Sequence, residues 1–280
     1  MKILASIFLL MSGSIINGNE IDSTLNKWQP SLITSINMSQ VAFSNWAKGG
    51  ESSYSYVFNI DWGMEYKAAE WSFQNQFKGS LGHSKTGTEE SNITANNMFN
   101  ETVIKGYGFL FKPFISNIIR TPITNGYDYK KDPEEQIVSF FDPGYVTQSI
   151  GLAFKKSDVF QSRLGLAFEE SFAKEFASRY TDDATTPNEI ETFKFESGIE
   201  SITDVKYEIF ENVLYKGKLR LFSGFDRLEV WDVAMDNTLT AKVNSWLNVN
   251  ITYLVVYKTS ESLKTQTQEA IQVGFVYSFF

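Results

Sequence analysis

The feature that most constrains this chain is strict period-two alternation. Tyr54, Tyr56, Phe58, Ile60, Trp62, Met64 and Tyr66 are separated by Ser55, Val57, Asn59, Asp61, Gly63 and Glu65. Successive side chains of a strand point to opposite faces, so this run is a strand with one apolar and one mostly polar face. It exceeds the ~9–11 residues that cross a bilayer at a tilt. Its aromatics lie at both ends of the apolar face, where interfacial girdles belong.

Eleven further segments read as strands, the one with Gly106 and Gly108 without a fixed phase, and helical periodicity is almost absent. They fall near residues 32–43, 71–83, 98–110, 114–121, 145–154, 160–172, 192–209, 213–225, 231–243, 247–257 and at the C-terminal end. The connections alternate in length. Tight ones occupy 67–70, 111–113, 155–158, 210–212 and 244–246, and long polar ones occupy 84–97, 122–144 and 174–191. Short turns on one rim and long loops on the other are the plan of an outer-membrane barrel. The expected fold is therefore all-β: a single transmembrane antiparallel up-and-down barrel of about 12 strands, with short periplasmic turns and long extracellular loops.

Both ends fit that expectation. Lys2 followed by an apolar stretch and small residues reads as a cleaved signal peptide over 1–18, leaving 19–280 as one barrel domain. At the other end Ile271, Val273, Phe275, Tyr277 and Phe279 alternate with Gln272, Gly274, Val276 and Ser278 before Phe280. A final amphipathic strand ending in an aromatic is what such barrels present to the barrel-assembly machinery. The expected location is the bacterial outer membrane, with its lipids and lipopolysaccharide as surroundings. The oligomeric state is left open.

Composition narrows the chemistry. The chain has no Cys and one His, which removes thiol catalysis, cysteine-held metals and most zinc sites. A net charge of −8 gives no nucleic-acid footprint. No metal site and no cofactor are expected. The acidic pairs Glu89-Glu90, Glu134-Glu135 and Asp182-Asp183 read as solvated loop charge, because none has the spacing of a calcium loop. The single imidazole, His83, has Ser84 beside it, but strand neighbours face opposite ways. Envelope lipid or ester hydrolysis through His83 is the least favoured of three functions.

The polar faces carry the more informative residues. Arg163 and Glu169 share one on the seventh strand. Glu196, Glu200, Lys216, Lys218, Arg220, Asp232 and Asp236 follow on the next three strands, which run acidic, basic and acidic in turn. Cross-strand pairing of opposite charges is expected from that order. Two readings are open. These residues line a narrow channel for small polar solutes, or they pair and fill the lumen. Twelve strands lie between barrels filled by side chains and barrels with an aqueous channel. Passage of small polar solutes is the leading function, and a non-conducting barrel whose loops bind a partner is the alternative.

One local motif stands apart from the alternation. It comprises Ser39, Gln40, Phe43, Asn45, Trp46, Gly49 and Gly50. Gly49-Gly50 suits a loop that needs positive φ, and Asn45 and Trp46 suit local backbone bonding and cover. The motif resembles the Ser-Gln-x-x-Phe-x-Asn-Trp-x-x-Gly-Gly signature of a family of bacterial proteins of unknown function, largely from Bacteroidetes. That resemblance implies an outer-membrane barrel and no particular reaction. The local reading is that the motif shapes the first loop.

Overall fold

A computed structural model describes residues 25–43, 50–107, 110–182, 186, 189–259 and 264–278. The expected signal peptide lies outside the described residues. The strands are β1 (Trp28–Val41), β2 (Ser53–Lys67), β3 (Trp71–Thr86), β4 (Asn92–Gly106), β5 (Lys112–Thr121), β6 (Gly126–Asp128) and β7 (Glu135–Val138). They continue as β8 (Gly144–Lys155), β9 (Phe160–Phe172), β10 (Phe193–Phe210), β11 (Val213–Gly224), β12 (Asp232–Lys242), β13 (Leu247–Tyr257) and β14 (Gln266–Ser278). One short helix, α1 (Ala177–Tyr180), sits between β9 and β10.

Twelve of these strands close into one antiparallel barrel, each bonded to its neighbour in sequence. β6 and β7 form a separate two-stranded hairpin inside the β5–β8 connection. The seam pairs β1 with β14, bringing Ile33 opposite Ser278 and Met38 opposite Val273. Closure gives every barrel strand a paired neighbour on both sides, so the barrel has no edge strand.

Several details differ from the sequence expectation. Strand β3 runs to Thr86 and β4 starts at Asn92, so the long connection expected at 84–97 is short. The residues added to these strands are largely polar, and backbone pairing continues without an apolar face to announce it: Ser84 stands opposite Asn92 and Gly82 opposite Ala95. The β6–β7 hairpin and α1 were also not foreseen. Both are too short to establish a periodic signal. Four of the five tight turns lie within about a residue of where they are expected; the fifth, expected at 111–113, falls earlier, because β4 ends at Gly106 and Lys112 and Pro113 already belong to β5. At the tightest, Asn212 links β10 to β11 with a φ of 67°, a left-handed conformation that Asn tolerates through its short polar side chain.

The two faces of the wall are inverted relative to a soluble barrel. Ile150, Leu152, Leu164, Leu166 and Phe195 are exposed on the outside, and Ile271 is 74% exposed. Glu101, Arg163, Glu200 and Ser149 are buried inside, and Glu169 is 1% exposed. Aromatic groups mark both ends of the outer belt. At the short-turn rim Tyr66 lies 4.9 Å from Trp28 and 5.4 Å from Trp71. At the long-loop rim Phe172 lies 5.2 Å from Phe193. An apolar belt with aromatic girdles around a polar interior is the arrangement lipid selects.

The inner wall over β8–β11 is built from small residues. Gly151 faces Gly165 in the β8–β9 register, and Gly198 faces Gly224 between β10 and β11. A Cβ on Gly151 would come within 2.2 Å of the Leu164 carbonyl oxygen. These positions draw the backbones together and leave lumen space for the long side chains of Arg163 and Arg220.

Candidate functional site

The lumen is the site, and its charges are arranged in levels. At the long-loop mouth, Arg227 in the β11–β12 connection reaches inward. Its Nη2 donates to Glu196 at 2.8 Å and to Asp232 at 3.1 Å, and its Nη1 donates to Thr259 Oγ1 at 2.6 Å. Burial works against its charge, but the hydrogen bonds and charges of Asp232 and Glu196 outweigh that and hold the guanidinium above its ordinary range. Asp142 joins two long connections by accepting from the backbone N–H groups of Lys174 and Glu175 at 3.1 and 2.7 Å.

The next level centres on Glu169 of β9. It accepts from Lys258 Nζ at 2.7 Å, from Arg220 Nη2 at 2.8 Å and from Arg120 Nη2 at 3.4 Å. Arg220 also donates its Nε to Glu200 at 2.6 Å, and Ser149 Oγ donates to the same carboxylate at 2.6 Å. Each buried ion costs several kcal/mol to desolvate, on the order of magnitude known for protein interiors, so these groups stand only as a mutually satisfied set.

Below it, Glu101 of β4 is bridged to two strands that are not its neighbours. Lys218 Nζ of β11 donates to its Oε2 at 2.7 Å, and Arg163 Nη2 of β9 donates to its Oε1. Several strands separate β4 from β11 in either direction around the wall. The Glu101–Lys218 bond therefore runs through the lumen and not along the wall. Lys218 is also 3.4 Å from Asp204. The Arg163 guanidinium lies over the Phe114 ring at 5.6 Å, which covers one face of it by a cation–π contact.

A cavity of about 540 Å³ lies on the short-turn side of Glu101, with Arg163 and Lys218 among its lining residues. Lys216 and Asp236 line it as well, and neither makes an ion pair among the described residues. The seven lumen residues singled out from sequence thus divide three ways. Glu196 and Asp232 belong to the mouth, Glu200, Lys218 and Arg220 to the network, and Lys216 and Asp236 to the cavity. The expected pairing between neighbouring strands holds for Lys218 with Asp204 and for Arg220 with Glu200. Lys216 departs from it, because β10 presents Lys206 opposite and β12 presents Thr238.

Sequence reading did not single out Glu101, Arg120, Lys258 or Arg227 as site residues. Arg163 and Glu169 had a signal, since both interrupt an apolar alternation on the polar face. His83 points away from the lumen. Its ring stacks on Tyr56 with centroids 5.7 Å apart, on the face that carries Phe58. No serine hydroxyl bonds to His83 among the described residues. In the first-loop motif, Ser39 and Gln40 belong to β1, and Gly50 has a φ of 119°. A Cβ on Gly50 would lie 2.9 Å from the Phe43 ring, so the close packing of Phe43 needs glycine there. Asn45, Trp46 and Gly49 lie outside the described residues.

Residues 38–127 match the family described as protein of unknown function, DUF3078. The match is to DUF3078. The DUF3078 segment supplies the motif around Gly50 and the lumen residues Glu101, Lys105 and Arg120, while their partners Arg163, Glu169 and Lys218 follow it in the chain. No curated protein matches in sequence. Among solved structures, the translocator domain of autotransporter NalP from Neisseria meningitidis is 7% identical, with 92% of this chain and 90% of that chain covered at a TM-score of 0.38. The COG4313 outer membrane channel from Pseudomonas putida F1 is 9% identical, with 94% and 99% covered at 0.42. Salmonella typhi OmpF, in complex with daunomycin, is 9% identical, with 92% and 99% covered at 0.26. Likenesses of this size say nothing about function.

Proposed function

We propose that this chain is a bacterial outer-membrane barrel whose lumen is narrowed by its own ion pairs, so that only water, ions and the smallest polar solutes pass. The inverted faces and the two aromatic girdles support the membrane setting. By the same plan the short turns face the periplasm and the long loops face outside. The observation that carries the narrow-passage reading is Glu101, held by Lys218 and Arg163 from across the lumen. Polar walls of Gln74, Gln76 and Lys78 continue past it on the β3 side. Selectivity in such a passage is set by the charged side chains at the constriction.

Planar-bilayer recording tests this. The wild-type barrel is expected to show a small unit conductance. Glu101→Gln weakens the bond to Lys218 and is expected to raise that conductance several-fold. A large wild-type conductance that Glu101→Gln leaves unchanged defeats the reading. A second reading, a non-conducting barrel whose long loops bind a partner, is favoured by one observation: the Asp142 and Arg227 contacts tie the long connections to one another and to the strand ends at the mouth. Silence from both proteins in the bilayer selects it. Extraction of the protein from cell envelopes without detergent overturns both.

A further inference from the structure

The cavity on the short-turn side has an unusual charge balance for an acidic chain. Nine cationic side chains line it against four acidic ones, while the whole protein carries a net charge of −8. Lys78, Lys105, Lys112, Lys206 and Lys216 form no ion pair among the described residues. Lys105 donates to the Gln161 side-chain oxygen at 3.3 Å. Lys112 lies 4.6 Å from the Tyr107 ring centroid. Lys216 is within Coulombic reach of Lys78 and Lys206, with Asp61 as the nearby acid. At the roof, Arg163 gives one nitrogen to Glu101, and its Nε and Nη1 have no hydrogen-bond partner among the described residues.

Cations gathered in a confined, partly desolvated space repel one another, and the repulsion is stronger there than in bulk water. Elsewhere in this lumen such charge is neutralised by Glu101, Glu169 and Glu200. Here the lysines converge from β3, β4, β5, β10 and β11 on one chamber that opens at the short-turn rim. Its volume suits a small molecule and not a folded partner.

We propose that this chamber is a binding site for a compact anion carrying two or more negative charges, of the phosphate or polycarboxylate class, entering from the short-turn side. The ammonium groups supply charge-assisted hydrogen bonds to its oxygens, and the Glu101 bridge closes the chamber above it. Binding does not require that the lumen conduct. Only the assignment of the entrance to the periplasm rests on the proposed membrane orientation.

Titration calorimetry on the detergent-solubilised barrel tests it, with pyrophosphate and citrate as probes and acetate as the monovalent control. One equivalent of pyrophosphate or citrate is expected to bind, more tightly than acetate and more weakly as salt rises. Preference between the two identifies phosphate or carboxylate chemistry as the better fit. Lys105→Gln combined with Lys216→Gln is expected to weaken binding on the order of tenfold or more, from the loss of two charge-assisted bonds. Asp236→Asn removes a competing acid from the chamber and is expected to tighten binding, a gain that misfolding cannot mimic. Failure of both probes to bind, or binding unchanged in both variants, overturns the site. Bilayer conductance of the same preparations separates this outcome from failure of the passage reading.

Discussion

The long-loop half and the short-turn half of the lumen hold the same residue types in opposite states. In the upper half Glu169 alone engages Arg120, Arg220 and Lys258, and Arg227 ties Glu196 to Asp232. In the lower half five lysines face a shared cavity without an ion pair among the described residues. Composition does not separate the two, since both are rich in Lys or Arg. Placement of carboxylates does. β9 and β10 carry Glu169, Glu196 and Glu200 toward the loops, while Lys206 and Lys216 stand opposite each other near the turns. One half is cross-linked into a narrow, ion-paired passage, and the other is left as a charged chamber. Removing a charge should therefore be costly above and cheap below.

The largest effect is expected at Glu169. Glu169→Gln keeps the shape of the side chain but leaves three cations without their shared counter-ion in a site that is 1% exposed. Loss of one partner from a buried ionic set costs about 3–5 kcal/mol. Urea unfolding of the refolded barrel, followed by tryptophan fluorescence, is expected to show a loss of that order. A change within error would mean that water already screens these charges and that they do not depend on one another.

A smaller loss is expected from Gly151→Val. It places atoms against the Leu164 carbonyl, where even a Cβ lies 2.2 Å away. Overpacking of this kind costs about 1–3 kcal/mol where the backbone yields. The same unfolding assay checks it. An unchanged midpoint would show that the β8–β9 wall is loose, and with it the space assigned to Arg163.

How much of this was legible beforehand follows from what alternation can carry. The barrel, its strand number and four of the five tight turns were readable, because period two and turn length are local properties of the chain. The β3–β4 connection was misjudged because Asn92, Thr94 and Asn96 bring no apolar alternation to mark the start of a strand. The polar faces could be assigned to one side, and Arg163, Glu200, Lys218 and Arg220 all lie there as that reading requires. What alternation could not supply was distance across the barrel. Glu101 meets Lys218 only because closure brings β4 toward β11, a relation with no signature in spacing. Arg227 and Lys258 lie just past strand ends, where side chains no longer alternate and pattern is silent about which way they turn.

On the outer surface of the short-turn rim the strands are joined by aromatic contacts. Trp28 packs 5.6 Å from Phe73 edge-on as well as against Tyr66. Trp28→Ala removes these aromatic contacts, each worth about 0.5–1.5 kcal/mol, and is expected to lower stability by about 1 kcal/mol in the same assay. No change in lipid, with a loss in detergent, would show that the bilayer interface replaces the lost contacts.

The smallest effect is expected at Lys216, and it decides whether the two halves differ as described. Lys216 makes no ion pair among the described residues, and Lys206 stands opposite it. Lys216→Gln keeps most of the stem and removes a charge that Lys78 and Lys206 oppose. Stability is expected to change by no more than about 0.5 kcal/mol, as for a substitution that breaks no packed or paired feature, and the sign is expected to be favourable at low ionic strength. Raising the salt concentration should shrink that gain, because screening weakens the repulsion that the substitution relieves. A loss of several kcal/mol, comparable to that for Glu169→Gln, would mean that Lys216 has a buried acidic partner after all. The lower lumen would then be a second ion-paired level and not a chamber with charge to spare.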